Sequence, residues 1–343
     1  MTKKILVTGG AGYIGSHTII DLIENGYDVH SLDNLSNADE YAFEAIEKIT
    51  GQRIPNAKVD LRDKAALKDF FLQHHDFAGV IHFAALKSVE ESVEKPLLYY
   101  ENNVSGMINL LEMVKEYCIR HFIFSSSCTV YGNAEKLPVT EDTPIQEAES
   151  PYGLTKQVCE LILQDFSKHH PDHQVISLRY FNPAGAHHSG IIGEKPLQLA
   201  RYLVPIIMEV ATNKREKLKV YGSDYNTRDG SCVRDFIHIE DLSQAHIDCL
   251  KYLMEHPDVR YETFNVGIGE GVSVLEAIKA FEKVTEQQLN YTLDDRRPGD
   301  VEAIYSNYSK ARNLLQWQPR YNIEDIMSTA WDWELYRDKI SSK

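Results

Sequence analysis

Tyr152 and Lys156 stand four positions apart in the stretch SPYGLTK, and their side chains suit proton transfer. Pro151 is typical of the first turn of a helix, which would place both side chains on one helix face, one turn apart. A free tyrosine has a pKa of about 10, and a neighbouring ammonium group favours the phenolate. The phenolate could then take a proton from a substrate hydroxyl during an oxidation. The alternative is an ordinary i, i+4 pair on a solvated helix face.

Ser127 is a second candidate for the same chemistry, in the run SSSCTVYG at residues 125–132. The run ends a predicted strand, and parallel sheets bind ligands at the carboxyl ends of their strands. Ser127 could therefore hydrogen-bond the hydroxyl that Tyr152 deprotonates. Serine-rich strand ends also form turns and caps, which is the alternative.

Gly9, Gly12 and Gly15 in TGGAGYIG follow a predicted strand and open a predicted helix. In that context glycines allow a tight turn and bring backbone and helix N–H donors close to a pyrophosphate. The alternative is a tight turn without a ligand. Asp33 ends the next strand, where a carboxylate binds adenosine ribose hydroxyls and repels a 2′-phosphate, so we expect NAD rather than NADP. A plain strand-end cap is the alternative for Asp33.

Two later strand ends extend this predicted dinucleotide site. Asp60 closes the predicted third strand and is placed to reach the adenine, and Phe83–Ala85 offers small residues where the cofactor must pass. The positive nicotinamide ring would add to the effect of Lys156 on the Tyr152 phenol.

Short apolar strands alternate with helices through the first half of the chain, which predicts a Rossmann-type doubly wound α/β fold with a parallel sheet. Strands are predicted at residues 4–8, 27–33, 57–60, 79–84, 121–127 and 175–181, and helices at 14–25, 96–118 and 151–169. Loop residues dominate from 181 to 234, so we expect a smaller, interleaved α/β lobe that binds substrate and contains helices at 274–283 and 323–339. The expected domains are 1–180, with a return segment at about 236–265, and 181–343.

Composition narrows the function classes. The chain has 36 basic and 51 acidic residues, a net charge of −15, which disfavours nucleic-acid and anionic-membrane partners. No apolar stretch approaches a membrane span, and the N-terminus does not read as a signal peptide. Five cysteines without CxxC spacing favour free thiols in the cytoplasm. The histidines of HHPDH at 169–173, and the pairs at 74–75 and 187–188, lack a further ligand motif, so we expect no metal.

These motifs, with RYFNPAGAH at 179–187, resemble the extended short-chain dehydrogenase/reductase family in order and spacing. The runs FAALKSVEESVEKPLLYYENNVSG at 83–106 and VRDFIHIEDL at 233–242 are similar to the UDP-hexose 4-epimerases of that family, over nearly the whole chain. The resemblance implies interconversion of UDP-galactose and UDP-glucose by transient C4 oxidation, with tightly bound NAD, in a homodimer.

The resemblance also implies site residues. Tyr152 is the base and acid, Lys156 tunes it, and Ser127 binds the substrate hydroxyl. The implied cofactor-binding residues are Gly9, Gly12, Tyr13, Ile14, Gly15, Asp33, Asn34, Asn37, Asp60, Leu61, Phe83, Ala84, Ala85, Lys87, Asn102, Ser125, Tyr152, Lys156 and Tyr180. The implied substrate-binding residues are Lys87, Ser127, Tyr152, Phe181, Asn182, Leu203, Val220, Tyr221, Arg234, Arg297 and Asp300. Arginine forks suit a diphosphate because they give bidentate contacts.

Departures from the family pattern bear on the reaction and on the sugar. Cys128 and Thr129 stand where dehydratases of the family place Asp-Glu, and decarboxylating relatives usually carry glutamate at the second position. Tyr202 stands where the family commonly has asparagine, and Ile304 lies where side-chain bulk is thought to gate N-acetylated sugars.

Three questions therefore stay open from the sequence. The chain could be a 4-epimerase of another nucleotide sugar, such as UDP-N-acetylglucosamine and UDP-N-acetylgalactosamine. It could also be a non-catalytic NAD-binding module on the same fold. The positions Met107, Leu110, Leu111 and Val114, and Val158, Leu161, Ile162 and Asp165, would allow a two-helix dimer face.

Overall fold

A seven-stranded parallel sheet forms the centre of the protein, which we describe from a computed structural model covering residues 3–197, 199–297 and 301–341. The strands are β1 (Lys4–Thr8), β2 (Asp28–Leu32), β3 (Asn56–Ala57), β4 (Phe77–His82), β5 (His121–Ser127), β6 (Gln174–Tyr180) and β11 (Tyr261–Val266). Their order across the sheet is β11-β6-β5-β4-β1-β2-β3. The order reverses beside β1, which is where such sheets bind ligands.

Helices cover both faces of this sheet. They are α1 (Tyr13–Glu24), α2 (Tyr41–Thr50), α3 (Lys64–Gln73), α4 (Val89–Glu94), α5 (Pro96–Tyr99), α6 (Gly106–Glu116), α7 (Pro151–His169), α9 (Ile239–Glu255) and α11 (Ser309–Leu315). Successive strand residues point to opposite faces, so Ile5 and Val7 join one core, while Leu6 joins a second core. The predicted doubly wound fold is confirmed.

A smaller α/β lobe follows β6 and is interleaved with the sheet. Its helices are α8 (Leu203–Ala211), α10 (Val274–Thr285) and α12 (Ile323–Ser341). Its strand pairs are β7 (Asn182–Ala184) with β10 (Phe236–His238), β8 (Leu218–Tyr221) with β13 (Tyr291–Asp294), and β9 (Val233–Arg234) between β12 (Val272–Ser273) and β14 (Ala303–Ile304). Ile207, Phe281 and Met327 lie in its apolar core.

Asp235 fastens the lobe where the chain re-enters the sheet. Its carboxylate is buried and accepts hydrogen bonds from the backbone N–H groups of Ile268, Gly269 and Ser306, and its carbonyl accepts one from Asn182 N–H. A buried carboxylate is tolerated because several donors satisfy it.

Two predicted elements differ from the structure. The predicted helix at 96–118 is interrupted by a π-helical segment, Tyr100–Ser105, within which the buried side chain of Asn103 bonds the backbone of Leu86. The third strand ends at Ala57, so Asp60 lies in the following loop and not at a strand end. In this loop the Asp60 carboxylate accepts two hydrogen bonds from the Arg62 guanidinium.

The prediction that an apolar stripe on α6 forms part of a dimer face is wrong. Met107, Leu110, Leu111 and Val114 are buried in the core that α6 forms with the sheet. An apolar stripe on a helix fits a sheet and a partner subunit equally well, so the sequence alone did not distinguish them.

Asp21 on α1 gives a testable pH dependence of stability. Burial raises the pKa of Asp21 to about 7, although Ser243 Oγ–H donates to its carboxylate. The folded protein therefore binds more protons than the unfolded chain between about pH 4 and 7, and stability is lost as pH rises through that window. We expect Asp21→Asn to raise the unfolding free energy at pH 8 by about 2 kcal/mol and to have much less effect at pH 4.

The measurement is thermal melting at pH 4, 6 and 8. Asp69→Asn, which alters an exposed carboxylate on α3, is the control and should leave the pH profile of wild type unchanged. An Asp21→Asn profile parallel to wild type at every pH would contradict the assignment.

In the part of the chain that the structure describes, no helix is long and apolar enough to cross a membrane.

Candidate active site

The glycine turn after β1 is closely packed and tolerates no side chain at two of its positions. Gly9 has φ +75°, and a Cβ there would lie 2.7 Å from Ala84 N; a Cβ on Gly15 would lie 2.2 Å from Gly9 O. Gly12 caps α1 without any side-chain hydrogen bond to the first turn, which includes Tyr13 and Ile14. Backbone N–H donors at such a helix end suit a pyrophosphate. The residues present therefore fit the dinucleotide expected from the sequence.

Asp33 lies beside this turn, as expected, and also serves as its cap. Its carboxylate accepts hydrogen bonds from Ala11 N–H at 3.0 Å and Leu35 N–H at 2.8 Å. Burial raises the pKa of Asp33, and the two backbone hydrogen bonds lower it. Each carboxylate oxygen retains a further lone pair that could accept from a ribose hydroxyl. The cap and the ribose contact are thus compatible.

Of the residues predicted to bind the adenosine part of the cofactor, Asn34 and Asp60 lie together. Asn34 Nδ2–H donates to Asp60 Oδ2 at 2.9 Å, and the hydrogen bonds from Arg62 lower the pKa of Asp60 to about 2. Leu61 is buried in the sheet core, whereas Asn37 is exposed. Asn34 and Asp60 therefore form a single polar group, and Leu61 offers an apolar wall.

The loop after β4 contributes the next predicted residues. Phe83 N–H donates to Thr8 O, which brings Phe83, Ala84 and Ala85 against the end of β1. Lys87 Nζ pairs with Glu194 Oε1 at 3.0 Å and lies 4.8 Å from the centroid of the Tyr202 ring.

Asn103, the neighbour of the predicted Asn102, holds this loop. Asn102 Nδ2–H donates to Asn103 Oδ1, which also accepts from Leu86 N–H, while Asn103 Nδ2–H reaches the Thr155 hydroxyl on α7. The run ENNVSG contains both asparagines, and only the burial of Asn103 identifies it as the residue that joins the loop to α7.

Tyr152, Lys156 and Ser127 are brought together at the end of β5. The predicted helix at 151–169 is confirmed, with Ser150 as its N-cap and Pro151 in its first turn. Ser127 lies beside the Tyr152 phenol and lowers its pKa. Lys156 Nζ donates to Ser125 O at 2.6 Å and lies 5.9 Å from the centroid of the Tyr152 ring.

The groups of the chain leave the Tyr152 phenol protonated. Burial raises the pKa of Tyr152 well above its ordinary value, the Tyr180 and Tyr202 phenols add to the rise, and Ser127 opposes it. Burial also lowers the pKa of Lys156 to about 8. The ammonium group of Lys156, which is bonded to a carbonyl, does not offset this desolvation in the chain by itself. The expectation that Lys156 and a positive nicotinamide ring together favour the phenolate stays a prediction.

Tyr180 and Ser125 complete the buried part of the site. Their hydroxyls hydrogen-bond each other, and burial raises the pKa of Tyr180 to about 12. Tyr180 therefore stays a neutral phenol beside the predicted catalytic residues.

The predicted substrate residues divide into buried and accessible groups. Phe181 is buried, Asn182 begins β7, and Leu203 begins α8. Val220 lies wholly in the lobe core, so its side chain cannot touch a substrate; in a strand, its neighbour Tyr221 points the other way and is 38% exposed.

One predicted arginine lies on a strand of the lobe and the other in the loop after β13. Arg297 is stacked 5.4 Å from the centroid of the Tyr221 ring and lies 3.8 Å from Glu90. Arg234, in β9, donates to the carbonyl of Val233. Asp300 lies outside the described residues.

A buried ion pair beneath Ser127 was not predicted. Arg179 on β6 binds Glu160 on α7 through two parallel contacts, Nε to Oε1 at 2.9 Å and Nη2 to Oε2 at 2.5 Å. Ser126 Oγ–H donates to Glu160, and Arg179 Nη1–H donates to the Tyr131 hydroxyl. Glu160 lies eight positions after Tyr152, which places it on the sheet-facing side of α7, and this spacing was the only available signal.

His187, His188 and Glu240 form the one group with metal-ligand chemistry among the described residues, their ligand atoms lying within 4.8 Å of one another. Glu240 already accepts hydrogen bonds from His188 Nδ1–H and the Tyr321 hydroxyl. The expectation of no metal stays a prediction.

Comparison with known proteins decides the family. The family model described as GDP-mannose 4,6 dehydratase matches residues 6–330. UDP-glucose 4-epimerase 1 from Oryza sativa subsp. japonica is 46% identical over 337 residues, covering 97% of this chain and 95% of the relative. The enzyme from Bacillus subtilis (strain 168) is 44% identical over 330 residues, covering 96% of each protein. The chain belongs to the UDP-glucose 4-epimerase branch of this family.

Solved structures of UDP-glucose 4-epimerases share the whole fold. The Stenotrophomonas maltophila enzyme, with bound NAD and formylated UDP-arabinopyranose, has a TM-score of 0.95 at 39% identity and covers 98% of this chain and 99% of its own. The Bifidobacterium longum enzyme, with NAD+ and UDP, has a TM-score of 0.93 at 42% identity with the same coverage. The resemblance to UDP-hexose 4-epimerases is thereby confirmed.

Proposed function

We propose that this protein is an NAD-dependent UDP-glucose 4-epimerase that interconverts UDP-galactose and UDP-glucose. The observation that carries the proposal is the meeting of Tyr152, Ser127 and Lys156 at the end of β5. The fit of the glycine turn and Asp33 to a dinucleotide, and NAD in the solved relatives, support the cofactor.

NAD, when bound, supplies a reversible two-electron acceptor for the sugar. Ser127 then hydrogen-bonds the O4 hydroxyl of the sugar, and Tyr152 accepts the proton of that hydroxyl and later returns it. Tyr152 is partly buried, and this desolvation raises the pKa of its phenol. The chain alone raises the pKa of the phenol, and the positive charge of NAD, when bound, would counter that rise.

The site disfavours the dehydratase reaction after which the family model is described. Burial raises the pKa of the Cys128 thiol to about 12, and Thr129 offers only a hydroxyl. Elimination of water requires an additional acid and base near neutral pH, which neither side chain supplies. Epimerisation requires no such additional acid and base, because its acid–base chemistry is limited to the proton exchange at O4 that we assign to Tyr152 and Ser127.

The test is an NMR spectrum of the purified protein incubated with UDP-galactose and, separately, UDP-N-acetylglucosamine, without added NAD. We expect conversion of UDP-galactose to UDP-glucose with no net oxidation. Turnover of UDP-N-acetylglucosamine without turnover of UDP-galactose would instead identify the protein as a 4-epimerase of N-acetylated nucleotide sugars. Binding of NAD without turnover of either sugar would leave a non-catalytic module and overturn the proposal.

We propose the sequence-based domain division as well. Residues 1–180 with about 236–265 bind NAD, and residues 181–343 form most of the nucleotide-sugar lobe. The division is supported by β11, which returns from the lobe to the edge of the sheet, and by the separate apolar core of the lobe. The free thiols support the proposed cytoplasmic location.

We propose that the protein forms a homodimer through α7 and the helices beside it. Leu161 is 60% exposed on α7, and Val93 and Leu97 are 63% and 80% exposed on α4 and α5, which pack against α7. Large apolar side chains grouped in this way are typical of an interface.

Light scattering checks the dimer. We expect Leu161→Glu to convert a dimer into a monomer, because a charged side chain would be buried unpaired at the interface. Leu72→Glu on α3, where the leucine is 58% exposed, is the matched control and should stay dimeric. An unchanged mass for Leu161→Glu would contradict the proposed face.

A further inference from the structure

Residues 190–196, which we name the crossing segment, run from the lobe back over the sheet domain. Gly193 pairs with Ala186 in an antiparallel bridge, and His187 N–H donates to Ile192 O. A Cβ on Gly193 would lie 2.5 Å from the Trp333 ring, and Trp333 Nε1–H donates to Glu194 O at 2.9 Å. The segment is therefore held in place by α12.

Two adjacent residues of opposite charge extend from this segment in different directions. Glu194 Oε1 pairs with Lys87 Nζ at 3.0 Å, and Lys195 Nζ pairs with Asp39 Oδ2 at 2.5 Å. Lys87 lies in the loop after β4, and Asp39 lies in the loop after β2. Since β4, β1 and β2 are neighbours in that order, the two ion pairs lie on either side of the glycine turn after β1.

Further contacts hold both ends of the crossing. On the β2 side, the Tyr41 hydroxyl donates to Ile191 O at 2.8 Å, and Lys195 Nζ lies 4.9 Å from the centroid of the Tyr41 ring. On the β1 side, the Tyr13 hydroxyl donates to Gly185 O at 2.7 Å, just before the segment. The crossing segment thus joins the loops on either side of the glycine turn and Asp33, the residues that would hold a dinucleotide.

We propose that Glu194 and Lys195 are positioning residues that fasten the crossing segment over the predicted dinucleotide site and so keep NAD bound between turnovers. Glu194 also holds Lys87 on the β4 side of that site. Neither residue takes part in proton transfer. The inference rests on the proposed function, in which NAD is recycled and not exchanged.

Retention of NAD by the full-length protein tests the proposal. Wild type, Glu194→Gln, Lys195→Gln and the double variant are desalted, diluted into NAD-free buffer, and assayed over time for nucleotide released and nucleotide retained. Because each ion pair is partly exposed, we expect NAD loss to be roughly threefold to tenfold faster in each single variant. The double variant should lose NAD roughly 10- to 50-fold faster.

The matched controls lie at the far end of the sheet. Lys310 Nζ pairs with Glu262 at 2.6 Å and lies 5.0 Å from the centroid of the Phe264 ring, which closely matches Lys195 with Asp39 and Tyr41. Lys310→Gln and Glu262→Gln should retain NAD as wild type does. Equal NAD loss from these variants would indicate a general loss of stability and overturn the proposal.

Three further measurements distinguish fastening of the segment from a merely structural role. NAD loss from wild type should accelerate with salt, since ions screen such pairs, whereas the double variant should be nearly salt-independent. Lys195→Arg keeps the charge and should restore retention. With saturating NAD, the kcat of Lys195→Gln should stay within roughly twofold of wild type, because the residue lies outside the proton-transfer group.

The outcomes for this inference and for the proposed function differ. An active wild type whose variants all retain NAD as it does would overturn the fastening and leave the epimerase assignment intact. A wild type that binds NAD but epimerises no sugar would overturn the function, while NAD retention would still measure the fastening.

Discussion

Tyr152→Phe is expected to lower the kcat for UDP-galactose epimerisation by roughly 10³-fold while leaving the protein folded. The substitution removes only the hydroxyl, and with it the group that exchanges the O4 proton; general acid–base groups contribute roughly 10²- to 10⁴-fold. Lys156 and Ser127 cannot replace it, because Lys156 is bonded to the Ser125 carbonyl and Ser127 lacks a basic partner other than Tyr152 in the described contacts.

The measurement is initial rate under saturating UDP-galactose, with bound NAD and the melting temperature determined on the same preparation. Tyr291→Phe, which removes a phenol that is 39% exposed on β13, is the matched control and should keep wild-type kcat. A Tyr152→Phe variant within tenfold of wild type, with NAD bound, would show that another group is the base.

Glu160→Gln is expected to destabilise the protein by about 3–5 kcal/mol, the usual cost of removing one partner of a buried ion pair. The side chains of Arg179 and Glu160 are 5% and 1% exposed, so the remaining guanidinium charge could not be solvated. The substitution should also lower kcat, because Glu160 accepts a hydrogen bond from the hydroxyl of Ser126, the neighbour of Ser127. Denaturant unfolding and kcat measure the two effects.

The double variant Glu160→Met, Arg179→Met separates charge from packing. Replacing both partners of a buried pair with apolar residues is often nearly neutral, so we expect it to recover much of the stability lost in Glu160→Gln. If Glu160→Gln is as stable as wild type, the pair is not the buried, unscreened contact that the structure describes.

Local pattern was sufficient for the elements that carry the reacting groups. The strands at 4–8 and 121–127 and the helix at 151–169 have the predicted bounds, because a glycine turn, a serine run and a proline each mark an end in the sequence itself. The alternation of such strands with helices determined the doubly wound sheet, since parallel strands need helical connections. The resemblance to UDP-hexose 4-epimerases followed from the same motifs.

Contacts between distant segments required the tertiary structure. The pairing of Glu194 with Lys87 and of Lys195 with Asp39 joins residues more than a hundred positions apart, and no local pattern specifies such partners. The direction in which the pKa of Tyr152 shifts also required the tertiary structure. The sequence placed Lys156 one turn away, but the pKa is raised by burial, which depends on everything packed around the phenol. The sequence alone determined which groups could react and at which sheet edge they meet; the packed structure decided their burial, their partners and their charge, because desolvation depends on the whole fold and not on neighbours in the chain.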